Sequence, residues 1–298
     1  MDKNFHVGIV TVTYNSAQVI EPFLHSLLSQ EHLAFTLYLI DNASKDNTLE
    51  RVRLFQDPRI IVIPNEQNTG VAAGNNQGIR AALSNRCSHV LLINNDTEFP
   101  STLVGDMLKA FESHQCDMVV PKMYYFDDPN RIWCAGGAFF RLRGYSSCHF
   151  GEGELDHGQY NTARAVEYCP TCCTLIKKEV FEKIGLMDEK YFVYWDDSDF
   201  CYRAMKSGLI TYYEPSVKLW HKVSSLTGGG FSDFSLYYGT RNKVYFLLKN
   251  RPKIEACLQL TAYWFYLLIS PIYQGMNWKM FRARQRGFFA GFPLSLNG

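Results

Sequence analysis

Hydrophobic and polar positions alternate along the first third of the chain with two different periods. Val7-Gly8-Ile9-Val10-Thr11-Val12-Thr13-Tyr14-Asn15 is an apolar run of strand length that closes on polar groups. The next apolar residues, Val19, Ile20, Phe23, Leu24, Leu27 and Leu28, recur at helical spacing, with Ser16 placed to cap that helix. Strand Thr36–Ile40 runs into the polar stretch Asp41–Thr48, helix Leu49–Phe55 follows, and Arg59–Ile63 makes a third strand. An Asn- and Gly-rich segment, Asn65–Gly78, leads to a helix around Ile79–Leu83. Val90-Leu91-Leu92-Ile93 is a fourth strand and stops abruptly at Asn94-Asn95-Asp96. This alternation predicts a doubly wound parallel sheet with its site along one edge.

Ligands in such sheets bind outside the carboxyl ends of the strands. Asp96 therefore stands where a carboxylate can hold a divalent cation and, through it, phosphate. Asn and Asp are also common turn residues, and on this strand alone a plain turn explains the triplet equally well. Further on, helix Ser101–Ser113 leads to strand Met118–Val120, and Tyr124–Tyr168, rich in Gly and aromatics, reads as strands and loops. Val166–Lys177 is β-prone and Glu179–Ile184 a short helix. The aromatic run Tyr191–Trp195 then meets the acids Asp196, Asp197 and Asp199. A helix starting near Ser198 and stopped by Gly208 places Asp196 and Asp197 at its N-terminus, where the macrodipole favours ionised carboxylates. Aromatic faces beside carboxylates suit a sugar. Short strands Ile210–Tyr213 and Val217–Trp220 deliver His221, Ser224–Phe231 reads as a flexible glycine loop, and Leu236–Leu248 as a helix carrying Arg241, Asn242 and Lys243.

Composition changes the picture at the C-terminus. The net charge of +1 argues against a surface adapted to nucleic acid. From Arg241 onward, however, nine Lys or Arg face a single acid, Glu255. Within that basic segment Ala256–Trp278 holds no charge for 23 positions. Its length reaches the ~20 residues of a membrane span, but Gln259, Ser270, Pro271, Gln274, Gly275 and Asn277 make it a poor one. An aromatic helix beside Lys279, Arg282, Arg284 and Arg286 suits the interface of an anionic membrane better. A subunit contact or a hydrophobic cap on the main domain is the competing reading, so the oligomeric state stays open. The N-terminus lacks a secretory pattern. Nine scattered cysteines suit a reducing compartment, and Cys169-Pro170-Thr171-Cys172-Cys173 reads as buried thiols in a strand.

Five stretches, Val12-Thr13-Tyr14-Asn15, Asp41–Thr48, Asn68–Gly78, Asn94-Asn95-Asp96 and Trp195–Arg203, resemble in identity and order the motifs of the inverting glycosyltransferases of family 2. The resemblance covers about residues 5 to 250 and is strongest to the rhamnosyltransferase-like branch that builds bacterial surface polysaccharides such as O-antigen. It implies a GT-A type, Rossmann-like mixed sheet flanked by helices. Residues 1–115 would form the nucleotide-sugar half, 116–250 the acceptor-binding and catalytic half, and 251–298 a helical membrane-associating tail. Carried over, it implies that Thr13, Tyr14 and Asn15 line the nucleotide pocket and that Asp41 accepts from the base. Asn68 and Gly74 would let the backbone approach the donor, with Asn75 and Asn95 as polar contacts. Asp96 is the last position of the family's acidic triplet, and Asn94 replaces its first acid. A Mg²⁺ or Mn²⁺ ion would then need the donor diphosphate and His221 to complete its shell. Asp197 matches the catalytic base, with Asp196 and Trp195 facing the acceptor and Asp199 pairing with Arg203.

The expected function is metal-dependent inverting transfer of a sugar from a nucleotide-diphosphate donor, dTDP-rhamnose first and a UDP-hexose or UDP-N-acetylhexosamine second. The expected acceptor is a polyprenyl-diphosphate-linked glycan or lipopolysaccharide core at the inner face of the cytoplasmic membrane. Two rivals stand beside it. A nucleotidyltransferase would open with a Gly-rich basic loop, which Val12–Ser16 is not, and a non-catalytic glycan-binding scaffold would release no nucleotide.

Overall fold

The computed structural model describes residues 5–223 and 232–296, so the glycine loop read at Ser224–Phe231 lies outside the described residues. Strands β1 (Val7–Thr13), β2 (Phe35–Asp41), β3 (Ile60–Pro64) and β4 (His89–Ile93) alternate with helices α1 (Ile20–Leu28), α2 (Thr48–Arg53) and α3 (Val71–Ser84). The two-residue β5 (Thr97–Glu98), helix α4 (Leu103–Ser113) and strand β6 (Met118–Tyr125) follow. The glycine- and aromatic-rich segment supplies β7 (Ile132–Cys134), β8 (Gly137–Phe140), β9 (Ser146–His149) and β10 (Arg164–Val166). Then come β11 (Cys173–Lys177), α5 (Lys178–Ile184), α6 (Asp196–Lys206), β12 (Thr211–His221), and three C-terminal helices, α7 (Asp233–Asn250), α8 (Lys253–Gln274) and α9 (Trp278–Leu296).

One sheet runs β10–β12–β6–β11–β4–β1–β2–β3, with β5 added to β12 and β7 to β6, and β8–β9 is a separate hairpin. The sheet is mixed rather than wholly parallel: β11 is antiparallel to both β4 and β6. The chain between β6 and β11 contains no α-helix to carry a crossover, and without one a returning strand pairs antiparallel. Strand β4 is buried along its whole length. Leu91 and Ile93 enter one apolar cluster and Val90 and Leu92 the other, so both faces of the sheet are covered.

Several local expectations are corrected by packing. Helix α3 starts at Val71, eight residues before the sequence pattern places it, and contains Gly74, Asn75 and Gly78. A Cβ on Gly78 would stand 2.3 Å from Val10 Cγ1, and one on Gly74 2.9 Å from Val12 Cγ2. The glycines thus serve a close helix–strand approach that resembles loop composition in sequence. Ser16 does not cap α1 with its side chain; its hydroxyl accepts from the Tyr14 N–H, and its carbonyl accepts from Val19 and Ile20. The two short strands read before His221 are one, β12, with a register shift between Glu214 and Lys218. Helix α6 begins at Asp196 rather than near Ser198.

The C-terminal segment is a helix pair. Gly275, in the left-handed region, ends α8, and α9 returns along α7, where Gly287 and Gly291 bring the backbones together. Among the described residues no helix is long and apolar enough to cross a membrane. Seven of the nine cysteines are buried, and all are free thiols.

Candidate active site

The carboxyl ends of the parallel strands carry the first group of residues. Thr13, buried at the end of β1, donates to Asp41 Oδ1 at 2.9 Å. Asp41 also accepts from the Ser44 N–H at 3.0 Å and the Ser44 hydroxyl at 2.6 Å. Asn15, at positive φ, ties the same turn: its Oδ1 accepts from the Lys45 N–H, while its own N–H donates to Ser44 Oγ. Tyr14, next to Thr13 at the end of β1, is 43% exposed. Asn68 accepts from the Gly70 N–H in the turn that starts α3. Gly74 lies against Val12 and the Asn42 amide. Asn75 is buried and its amide points to the Met187 sulfur, at 3.6 Å.

At the end of β4, Asn95 donates to the Val12 carbonyl at 2.6 Å. The next residues turn through β5, which pairs Thr97 with His221 of β12. That pairing sets His221 Nε2 3.1 Å from Asp96 Oδ1, with both side chains buried. The two residues named as metal ligands therefore meet, although 125 positions separate them in sequence. The buried Oδ1 of Asn95 and Nδ1 of His221 have no hydrogen-bond partner among the described residues. Among the same residues no group of three His, Cys, Asp or Glu side chains could hold a metal. One carboxylate and one imidazole, buried together, fit an ion whose remaining ligands are substrate oxygens.

The acids of α6 form the second group. Asp197 Oδ2 accepts from the Tyr168 hydroxyl at 2.7 Å, and Oδ1 accepts from the Ser198 N–H at 2.6 Å. Burial pushes the Asp197 carboxyl above its usual range, opposed by the hydrogen bonds from Tyr168 and Ser198 and by His149. Asp196 is pushed up to about 8, by burial first and by the charge of Asp197 second. Burial thus works against the helix dipole, which on its own would favour the ionised carboxylate. Asp199 pairs with Arg203 at 2.8 Å as expected, and also with Lys249 of α7. Trp195 packs on Phe246, with centroids 5.1 Å apart.

Sequence reasoning missed the residues that join the two groups. Tyr168 stacks on His149, His149 meets Trp133 edge-on at 4.7 Å, and Trp133 meets His221 at 4.4 Å. Burial lowers the His149 pKa, favouring the neutral ring. Phe192, Tyr194 and Trp195 all sit at positive φ. Asn242 of α7 donates to the carbonyls of Tyr191, Val193 and Tyr194 at 2.7–2.9 Å, and Arg241 donates to those of Lys190 and Tyr191. The sequence places Arg241 and Asn242 on this helix but carries no sign of the carbonyls they hold.

Comparison with known proteins agrees with this architecture. The chain is 26% identical over 207 residues to the low-salt glycan biosynthesis hexosyltransferase Agl10 of Haloferax volcanii, covering 68% of this chain and 62% of that protein. It is 23% identical over 256 residues to the dTDP-rhamnosyl transferase RfbF of Shigella flexneri, covering 83% and 81%. An N-acetylglucosaminyl-diphospho-decaprenol L-rhamnosyltransferase of Mycobacterium tuberculosis is 24% identical over 239 residues, covering 74% and 77%. Among solved structures, GalNAc-T7 with UDP, GalNAc and Mn²⁺ superposes with a TM-score of 0.64 at 16% identity, covering 83% of this chain and 51% of that one. The mannosyltransferase PcManGT of Pyrobaculum calidifontis, in complex with GDP-Man and Mn²⁺, gives a TM-score of 0.56 at 16% identity, covering 98% and 87%. The mixed sheet with its flanking helices is thus a GT-A fold. The glycosyl transferase family 2 model matches residues 8–185, and the chain belongs to that family.

Proposed function

We propose that this chain catalyses inverting transfer of a sugar from a nucleotide-diphosphate donor to a hydroxyl of a glycan or lipid-linked acceptor, with Asp197 as base. The observation that carries the reading is the buried acid Asp197 at the start of α6, joined by the Tyr168–His149–Trp133 ladder to Asp96 and His221. Inversion in one displacement needs a carboxylate that takes the acceptor proton on the face opposite the leaving group. A carboxylate offers about four acceptor positions; the Tyr168 hydroxyl and the Ser198 N–H occupy two on Asp197, leaving room for a substrate hydroxyl. Its raised pKa makes Asp197 a stronger base than an ordinary helix-start aspartate. Burial raises the Asp196 pKa as well, which disfavours a second negative charge beside Asp197.

Thr13, Tyr14, Asn15, Asp41, Asn68, Gly74, Asn75 and Asn95 are the proposed donor-binding residues, with the exposed Tyr14 ring the one available to stack on a base. Asp96 and His221 would hold Mg²⁺ or Mn²⁺, which when bound neutralises the departing diphosphate. The names of the Shigella and Mycobacterium relatives support dTDP-rhamnose as the leading donor, with a UDP-hexose or UDP-N-acetylhexosamine second. On the same reading, residues 1–115 take the donor and 116–250 the acceptor, while 251–298 dock the chain peripherally at the inner face of the cytoplasmic membrane. The exposed apolar residues of α8 support that docking.

Incubation with a panel of nucleotide sugars and Mn²⁺, followed by assay of the free nucleotide, tests the reading. Release of nucleoside diphosphate from dTDP-rhamnose is the expected result. Pyrophosphate release would instead mean nucleotidyl transfer, and no release from any donor would leave a binding protein.

A further inference from the structure

A cavity of about 760 Å³ lies between the β8–β9 hairpin and helices α7 and α8, outside the residues assigned above to donor or catalysis. Its walls are apolar: Phe140 and Leu142 on the hairpin face Leu258 and Tyr266 on α8. Lys243 and Arg143 also line it. Lys243 Nζ donates to the Arg143 carbonyl at 2.8 Å and to Ser146 Oγ at 3.1 Å, and lies 4.4 Å from the Tyr263 ring centre. Behind this wall Arg284 is buried over the Tyr266 ring, hydrogen-bonded to the neutral groups of Ser270 and Gln274.

None of Arg143, Lys243 and Arg284 is ion-paired among the described residues. The nearby acids Glu167 and Glu255 pair with Arg141 and Arg251 instead. Burial and the two neighbouring arginines push the Lys243 ammonium down to about 8, with no carboxylate offsetting them. A groove with apolar walls and uncompensated cations is complementary to an anionic amphiphile. One end of the groove reaches the catalytic residues. Ser147, which lines it, accepts at 3.2 Å from the Ser198 hydroxyl, and that hydroxyl lies 3.3 Å from Asp197 Oδ1.

We propose that this cavity is the acceptor groove, holding the diphosphate of a prenyl-diphosphate-linked glycan at Arg143 and Lys243 and its first isoprene units between Leu142 and Leu258. The assignment rests on the transferase reading for the term acceptor, but its ligand chemistry is read from the groove itself. A sugar attached directly to that diphosphate would be presented past Ser147 towards Asp197, and the prenyl chain would leave along α8.

Farnesyl diphosphate, titrated calorimetrically into the full chain without divalent cation, tests this, because the donor-diphosphate site is then disfavoured. Binding at least about tenfold tighter than that of inorganic pyrophosphate or of farnesol is expected, each of these offering half of the complementary chemistry. Lys243 braces the hairpin, so the variants are placed on the exposed Arg143 and Leu258. Arg143→Ala and Leu258→Asp should each weaken farnesyl diphosphate by about fivefold or more while dTDP affinity in Mn²⁺ stays at the wild-type value. Pyrophosphate or farnesol binding as tightly as farnesyl diphosphate, or both variants binding it like wild type, would overturn the proposal. The readout needs no transfer. A chain that binds farnesyl diphosphate in this groove but releases no nucleotide from any donor loses the transferase reading alone.

Discussion

Asp196 and Asp197 are adjacent in the chain, yet one is fully buried against the helix start and the other is partly exposed towards Tyr168. Asp197→Asn keeps the shape and the Tyr168 contact but removes the basic oxygen. It should lower kcat by about 10³-fold, within the usual range for a general base, with nucleotide affinity by calorimetry changed less than about twofold. Retained turnover would take the base role from Asp197. Asp196 makes a prediction about stability. Folded, it holds its proton up to about pH 8; unfolded, it releases it near ~3.9. Between those values the folded state binds more protons, so stability falls as pH rises from about 4 and levels off above about 8. In Asp196→Asn this slope should disappear. Relative to the variant, wild-type Tm should drop by about 3 °C or more between pH 5 and 8.5, the shift of roughly 1 kcal/mol in a chain of this size. Equal pH slopes in scanning calorimetry would mean that Asp196 is ionised in the fold.

The loop before α6 makes such burial possible, at a conformational cost. Phe192, Tyr194 and Trp195 occupy the left-handed half of backbone space with φ of 65°, 62° and 67°, and each non-glycine residue there costs on the order of 1–3 kcal/mol. Two elements hold them. On one side the Val71 N–H of α3 donates to the Phe192 carbonyl at 2.6 Å, and Gly70 leaves space for that approach. On the other, Asn242 of α7 gathers three carbonyls with one amide. Asn242→Asp replaces that donor with an acceptor and should destabilise the chain by about 2 kcal/mol or more in urea unfolding. It should also reduce kcat by about tenfold or more with donor KM little changed, because Asp197 is displaced while the β1–β4 strand ends are not. A variant that loses stability but keeps kcat would reduce Asn242 to a purely structural role. The clamp also explains what was readable beforehand. Strand ends such as Asn95-Asp96 and the acids after Trp195 are local, so the alternation of polarity and the motif order expose them. Asn242 and Tyr168 act on residues 48 or more and 29 positions away, and nothing in their own neighbourhood of sequence records that contact. Likewise the glycines of α3 carry loop composition, and only the packing against Val10 and Val12 reveals a helix.

For the whole molecule, the C-terminal basic and aromatic segment was legible as an amphipathic feature, whereas its division into two helices was not, since the turn rests on Gly275, which ends α8, and Asn277, which accepts from the Met280 N–H of α9. Its inner side is integral to the fold. Gly287 and Gly291 seat α9 on α7, the helix that bears Asn242, so removing the segment would disturb the catalytic loop as well as any docking surface. The outer side of α8 is a separate matter. Ile254, Leu258, Phe265, Ile269 and Ile272 are 79%, 68%, 61%, 54% and 85% exposed, and their spacing of three, four and seven places them along one face. An exposed apolar stripe of that length marks a contact surface. With exposed Lys279, Arg282 and Arg286 on the adjacent α9, an anionic bilayer is the partner that satisfies both the apolar and the basic chemistry. Point substitution separates the surface from the fold where truncation does not. Phe265→Glu with Ile272→Glu adds two charges at largely exposed positions, so Tm should be preserved. Fully burying such a side chain is worth roughly 1.5–3 kcal/mol, and 1.4 kcal/mol is about a tenfold change in affinity. Co-sedimentation with phosphatidylglycerol-containing vesicles should therefore weaken by about tenfold or more in the double variant, and wild-type binding should also weaken on phosphatidylcholine alone. If the double variant sediments like wild type, α8 does not face the bilayer. If wild type elutes as a dimer in size-exclusion chromatography and the double variant as a monomer, the stripe belongs to an interface between two copies of the chain.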